Sequence, residues 1–165
     1  MSVDVDDDEE VGLGVLARVD AGGWLVQADF DSLPFVPGQF DVVVLNASLH
    51  YAANPVCTLY AADRMLATGG ALVVMDSPMF VRDEDGQLMV REQLESIARL
   101  CGVMQPLRAG AGFLTFTQLR DAAHRLHRRA RFTASDGPVG WRLRRFWSRR
   151  RRGRAPASFG VWVAR

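Results

Sequence analysis

Two short runs, DVVVLN at residues 41–46 and ALVVMD at residues 71–76, constrain the chain more than any other feature. Each is a continuous apolar stretch, the first mainly of β-branched residues, the pattern of a parallel strand covered on both faces. The sequence between them reads as a helix. Asn54 is placed to cap it, Pro55 suits its first position, and Val56, Leu59, Tyr60 and Leu66 recur at helical spacing until Gly69 and Gly70 end it. Parallel strands need a crossover connection, and strand, helix, strand in this order makes a right-handed βαβ unit. The expected fold class is therefore α/β.

The same periodicities extend in both directions. Upstream, residues 2–5 (SVDV) read as a strand, residues 9–19 as a short helix with Leu13, Leu16 and Ala17 inward, and residues 24–30 as another strand. Downstream, residues 87–100 read as a helix with Leu94, Ile97, Ala98 and Cys101 on one face, stopped by Gly102. Thr115 with Gln118 has the spacing of a capping box before Leu119, Ala122, Ala123 and Leu126. Two last strands are expected at 131–135 and 159–164, with an arginine-rich helix from about residue 140 to 151 between them. The chain divides into a first half, 1–86, a helical region, 87–127, and a terminal strand pair, 128–165, all within one domain.

A length of 165 residues with 48% hydrophobic content suits one domain with a sizeable core. No apolar run approaches the ~18 residues of a membrane span, and the acidic start does not resemble a signal peptide, so a cytoplasmic location is expected. Cys57 and Cys101 are far apart, which favours reduced, half-buried thiols over a disulfide. No spacing suggests a metal site. Charge is distributed unevenly: residues 1–119 hold 6 arginines against 17 carboxylates, residues 120–165 hold 14 arginines against 2 aspartates, and lysine is absent.

The run ADFDSLPFVPGQFDVVVLNASLHYA, followed by a helix and then RMLATGGALVVMDSP, resembles the central and C-terminal part of a class I S-adenosylmethionine-dependent methyltransferase, of the type 11 group. That resemblance implies a Rossmann-like, mostly parallel sheet with an antiparallel last strand, S-adenosyl-L-methionine as cofactor and a small-molecule methyl acceptor. In open parallel sheets ligands bind beyond the carboxyl ends of the strands, which gathers Asp4, Asp29, Asn46 and Asp76 on one edge. By resemblance, Asp4 holds the ribose hydroxyls. Asp29 and Phe30 contact the adenine, and Asn46, Ala47 and Ser48 lie beside the methionine portion. Each residue also has a plainer role open to it: a solvated acidic face for Asp4, a turn start for Asp29, strand-end hydrogen bonding for Asn46 and Ser48.

His50 and Tyr51 are the candidate catalytic groups. Methyl transfer from a sulfonium needs alignment first, and a base only where the acceptor must lose a proton. His50 suits that role by its ordinary pKa, and packing or capping is its plainer alternative. The aromatic and basic segment 142–154, from Arg142 to Arg154, suggests nucleic-acid contact. Trp141, Leu143, Phe146 and Trp147 at helical spacing suggest instead a solvated basic face on a packed helix.

The family's first strand, with its glycine-rich turn, has no counterpart before Asp4. Gly12–Gly14 (GLG) falls after the acidic strand end and inside a helix, the wrong place for that loop. The family sheet sets the third and second strands on one side of the first, and the fourth, fifth, seventh and sixth on the other. The expectation is an N-terminally shortened sheet with a gap or groove between residues 2–5 and 41–46. Rival readings are a non-catalytic, methyltransferase-like binding or scaffold protein with a basic C-terminal face, and a nicotinamide-dependent oxidoreductase, whose motif order fits poorly after Asp29.

Overall fold

Hydrogen bonding between the two apolar runs organises the observed structure, a computed structural model that describes residues 1–8, 10, 12–19, 22–102, 110–135 and 153–165. In chain order the elements are β1 (Ser2–Asp4), α1 (Gly12–Val19), β2 (Leu25–Gln27), β3 (Phe40–Asn46), a 3₁₀ turn (Leu49–Tyr51), α2 (Pro55–Arg64), β4 (Leu66–Met75), β5 (Met79–Phe80), α3 (Asp83–Cys101), β6 (Leu114–Thr115), α4 (Phe116–Arg125), β7 (Ala130–Ala134) and β8 (Gly160–Ala164). The principal sheet has the order β3-β4-β8-β7. β3 and β4 are parallel, and β8 runs antiparallel to both β4 and β7. This is the right-hand half of the expected sheet, including its antiparallel last strand.

The left-hand half is a separate parallel pair, β1-β2. Among the described residues no ladder joins β1 to β3. The consequence is visible on β3. Val42 and Val44 are 53% and 51% exposed, while Leu45 is buried. The sequence pattern implies cover on both faces, and among the described residues only one face has it. On that face α2 and α4 bury Leu59, Ala62, Leu119 and Ala122 against Leu72, Val74 and Trp162.

Capping chemistry fixes both helices. The Asn54 side chain accepts from the N–H groups of Val56 and Cys57, and Pro55 takes the first turn. Thr115 and Gln118 form the expected reciprocal capping box at 3.2 and 2.9 Å. α3 runs 19 residues, beginning earlier than its apolar pattern suggested because Asp83, Glu84 and Asp85 favour the positive end of the helix dipole. Gly102 ends it in the left-handed conformation, with φ 70°.

Several expectations are corrected. α2 ends at Arg64, and Gly69 and Gly70 lie inside β4, where the ladder jumps from Phe40↔Leu66 to Val42↔Ala71. The glycines make a bulge rather than a helix stop. Gly69 has φ +82°, and a Cβ on Gly70 would stand 2.9 Å from the Ala67 carbonyl oxygen, so Leu66 becomes a strand residue. In α1 only Leu13 is buried; Leu16 and Ala17 are exposed because nothing described packs on that side. β2 keeps only three residues of the expected seven.

The buried face of α3 is Asp85, Gly86 and Met89, against Phe80 and Phe113, and not the Ile97–Cys101 end. Cys57 and Cys101 are both exposed rather than half-buried. The expected arginine-rich helix and Trp141, Leu143, Phe146 and Trp147 lie outside the described residues. Arg154, at the end of that segment, is 8% exposed and paired with Glu92 at 2.8 Å, so it holds the C-terminal segment to α3. Among the described residues no helix is long and apolar enough to cross a membrane.

The one-sided burial of the sheet predicts opposite outcomes for neighbouring apolar positions. Leu72→Ala, at a fully buried site, should destabilise by about 2–5 kcal/mol in urea unfolding, whereas Val44→Thr should change stability by no more than about 0.5 kcal/mol.

Candidate active site

The acidic stretch after β1 is built from its own side chains. Asp4 Oδ1 accepts the Asp6 N–H at 3.1 Å, Asp6 Oδ1 the Asp8 N–H at 3.0 Å, and Asp8 Oδ1 the Glu10 N–H at 2.7 Å. These successive turns turn the chain back towards α1, where the Leu13 N–H meets the Asp6 carbonyl at 2.9 Å. Gly12 is required there: it has φ +65°, and a Cβ would lie 2.3 Å from the Asp6 oxygen. Its role is this close approach.

β1 and β2 are registered Asp4 against Gln27, and the Ala28 N–H donates to the Asp4 carbonyl at 2.9 Å. Asp4 and Asp29 therefore stand at the carboxyl ends of neighbouring strands. Asp29 is exposed, and its Oδ1 accepts the Asp31 N–H at 2.9 Å, so it does start the turn. Its second carboxylate oxygen has no partner among the described residues. The Phe30 N–H likewise has none, while the Phe30 side chain packs against the main core.

Asp31 is the residue that the sequence analysis passed over. Its carboxylate accepts the Ala53 N–H at 3.3 Å and the Thr58 hydroxyl, which ties the turn after β2 to the start of α2. The available signal was a second acid two positions beyond Asp29, in ADFDS. Through this link the β1-β2 pair and the principal sheet share an anchored loop despite having no common ladder.

The carboxyl ends of β3 and β4 are equally ordered. Asn46 pairs in register with Met75, and the Ala47 N–H donates to the Met75 carbonyl at 3.0 Å. Ala47 and Asp76, the residues following the two strands, have φ of 49° and 51°. Left-handed backbone at a residue with a Cβ costs of order 1–2 kcal/mol, and strain of this kind is characteristic of functional sites. The side chains of Asn46, Ser48 and Asp76 make no hydrogen bonds among the described residues.

Beside them His50 is 7% exposed and Ser77 fully buried, with His50 Nδ1 3.0 Å from Ser77 Oγ. The Tyr51 ring lies 4.0 Å from the imidazole, centroid to centroid. Desolvation by burial holds the His50 pKa below its ordinary value, keeping the ring neutral. The chain returning from α3 closes on this turn: the Gly112 N–H donates to the His50 carbonyl at 2.9 Å, and a Cβ on Gly110 would lie 2.4 Å from the Tyr51 backbone. The structure thus places Asp4 with Asp29 at one strand pair, and Asn46, Ala47, Ser48, His50 and Tyr51 with Asp76 at the other. Among the described residues no group of three or more His, Cys, Asp or Glu side chains could hold a metal ion.

A parallel α/β core with an antiparallel final strand, and polar groups gathered at the carboxyl ends of β1 to β4, defines the class I methyltransferase fold. Residues 5–74, under half of the chain, match the sequence family described as methyltransferase domain. Asp4 lies one residue outside the match. No curated protein sequence matches the chain. Among solved structures, YcgJ of Bacillus subtilis is 13% identical with a TM-score of 0.59, covering 98% of this chain and 79% of its own. An S-adenosylmethionine-dependent methyltransferase of Mesorhizobium loti is 17% identical with a TM-score of 0.55, covering 99% and 78%. An arsenic(III) S-adenosylmethionine methyltransferase of Chlamydomonas reinhardtii is 19% identical, with a TM-score of 0.51 and coverage of 98% and 52%. At these identities the likeness is one of fold.

Burial of neutral His50 gives stability a defined pH dependence. The unfolded histidine takes up a proton near pH 6.5 and the folded one resists it, so this contribution is complete above about pH 6.5 and is lost as pH falls through the folded pKa. Urea midpoints should drop as pH falls below about 6.5 and on through the folded pKa, and His50→Gln should flatten that part of the profile.

Proposed function

We propose that the protein uses S-adenosyl-L-methionine to methylate a small-molecule acceptor. The observation that carries this reading is the set of free hydrogen-bonding groups at the carboxyl ends of β1 to β4, with left-handed backbone at Ala47 and Asp76 just beyond two of them. The bound cofactor would supply an electrophilic methyl group on sulfur, and the chain's residues hold and orient what reacts with it.

In this reading the Asp4 carboxylate, whose Oδ1 already accepts the Asp6 N–H, accepts from the ribose hydroxyls. Asp29 accepts from the adenine amino group, and the Phe30 N–H donates to the adenine ring. The left-handed turn at Ala47 presents Asn46 and Ser48 to the amino and carboxyl groups of the methionine portion. His50, neutral and with Nδ1 engaged by Ser77, offers Nε2 as acceptor for a proton leaving the substrate, and Tyr51 packs on the imidazole and fixes its plane. The helical region 87–127 covers the acceptor.

A second reading, a non-catalytic binding or scaffold protein, is favoured by one feature: among the described residues no ladder joins β1 to β3, so the ribose and methionine contacts stand on separately paired strands. Nucleic acid would contact it through the basic segment 142–154, less Arg154, which is already paired with Glu92.

Calorimetric titration with S-adenosylhomocysteine separates the two, run on this chain and on one extended upstream of Met1. Saturable binding to either chain, weakened about ten- to a hundredfold by Asp29→Asn or Asp4→Asn, is the expected result, each charged hydrogen bond contributing about 1.5–3 kcal/mol. Absence of binding by both, with salt-sensitive retention of oligonucleotides, would replace the enzyme by the scaffold.

A further inference from the structure

The outer side of α2 and α4 carries a groove that the proposed reaction does not use. It has a volume of about 500 Å³ and is lined by Val56, Cys57, Tyr60, Ala61 and Arg64 of α2 and Arg125 of α4. That volume lies within the ~300–1,000 Å³ typical of small-molecule sites. The walls are tied together where the Tyr60 hydroxyl donates to the Arg125 carbonyl at 3.1 Å.

The chemistry of the lining is one-sided. Val56, Ala61 and the Tyr60 ring supply apolar contact, and among the described residues no carboxylate lines the groove. Arg64 and Arg125 have no ion-pair or hydrogen-bond partner for their guanidinium groups among the described residues. Nearby Arg128 differs: it pairs with Asp63 and donates to the Gly70 carbonyl at 2.7 Å. A helix-terminal arginine complements the helix dipole, but that role needs neither two arginines on one groove nor an apolar floor between them. Guanidinium forks bind carboxylates in a bidentate manner.

We infer that this groove is a second ligand site, selective for a small organic anion with an apolar body, such as an aryl carboxylate. The carboxylate sits between Arg64 and Arg125 and the ring lies along Val56, Tyr60 and Ala61.

Cys57, an exposed thiol in the groove, provides the readout, and exposed Cys101 is the internal reference. The dianionic aryl-carboxylate disulfide dithiobis(nitrobenzoate) should label Cys57 at least about tenfold faster than Cys101, whereas uncharged dithiodipyridine should show little preference. In each reaction the thiolate forms a mixed disulfide and one aryl thiolate is released. Naphthalene carboxylate should protect Cys57 and naphthalene carboxamide should not. In the double variant Arg64→Gln, Arg125→Gln, both exposed positions, the preference and the protection should disappear while the unfolding midpoint is retained. NMR shifts of Val56 and Ala61 on addition of naphthalene carboxylate report on the unmodified protein. Equal labelling of Cys57 by charged and uncharged reagents, or protection that survives the double substitution, would overturn the inference.

Discussion

Parallel pairing of β3 with β4 sets the position of nearly everything else in the molecule. Asn46 stands opposite Met75 because the ladder is in register from Val42↔Ala71 onward, and that register depends on the bulge at Thr68, Gly69 and Gly70 absorbing the extra residues. Had β4 paired without the bulge, every side chain beyond it would have changed face or depth. Leu72, Val74 and Trp162 would then not meet Leu59, Ala62 and Leu119, and the strained residues Ala47 and Asp76 would not stand side by side.

The other half of the fold buries fewer apolar side chains, and the reason lies in what surrounds β1 and β2. Each has three residues, α1 buries only Leu13, and Val19 and Trp24 are 80% and 76% exposed. Without a common ladder, the connection to the principal sheet runs through Phe30 in the core and through Asp31 on Ala53 and Thr58. Those links hold the turn after β2, where Asp29 lies, more firmly than they hold the strands themselves. Binding of a ligand across both strand pairs would therefore stabilise the N-terminal half by mass action.

The site and the α2-α4 groove show the same helix pair serving two purposes. The N-terminal end of α2 receives Asp31 and follows the turn that carries His50, and its outer surface with that of α4 presents Arg64 and Arg125, unpaired among the described residues, over apolar side chains. Both depend on the inner faces being fully occupied by core contacts, since only a helix fixed on one side can offer a defined surface on the other.

By itself, the sequence determined the α/β class, the strand–helix–strand unit, the caps of α2 and α4, the left-handed stop at Gly102 and the carboxyl-end residues Asp4, Asp29 and Asn46. All of these follow from local spacing and local hydrogen-bonding chemistry. Tertiary structure alone decided the rest: Gly69 and Gly70 as a bulge, Val42 and Val44 bare on one face, the solvent exposure of Ile97 and Cys101, the anchoring role of Asp31, and the burial of His50 against Ser77. The physical reason is the same in each case. A glycine pair, an apolar strand face or a lone acid has several satisfactory local arrangements, and the choice among them is made by residues distant in the chain, whose approach no local periodicity records.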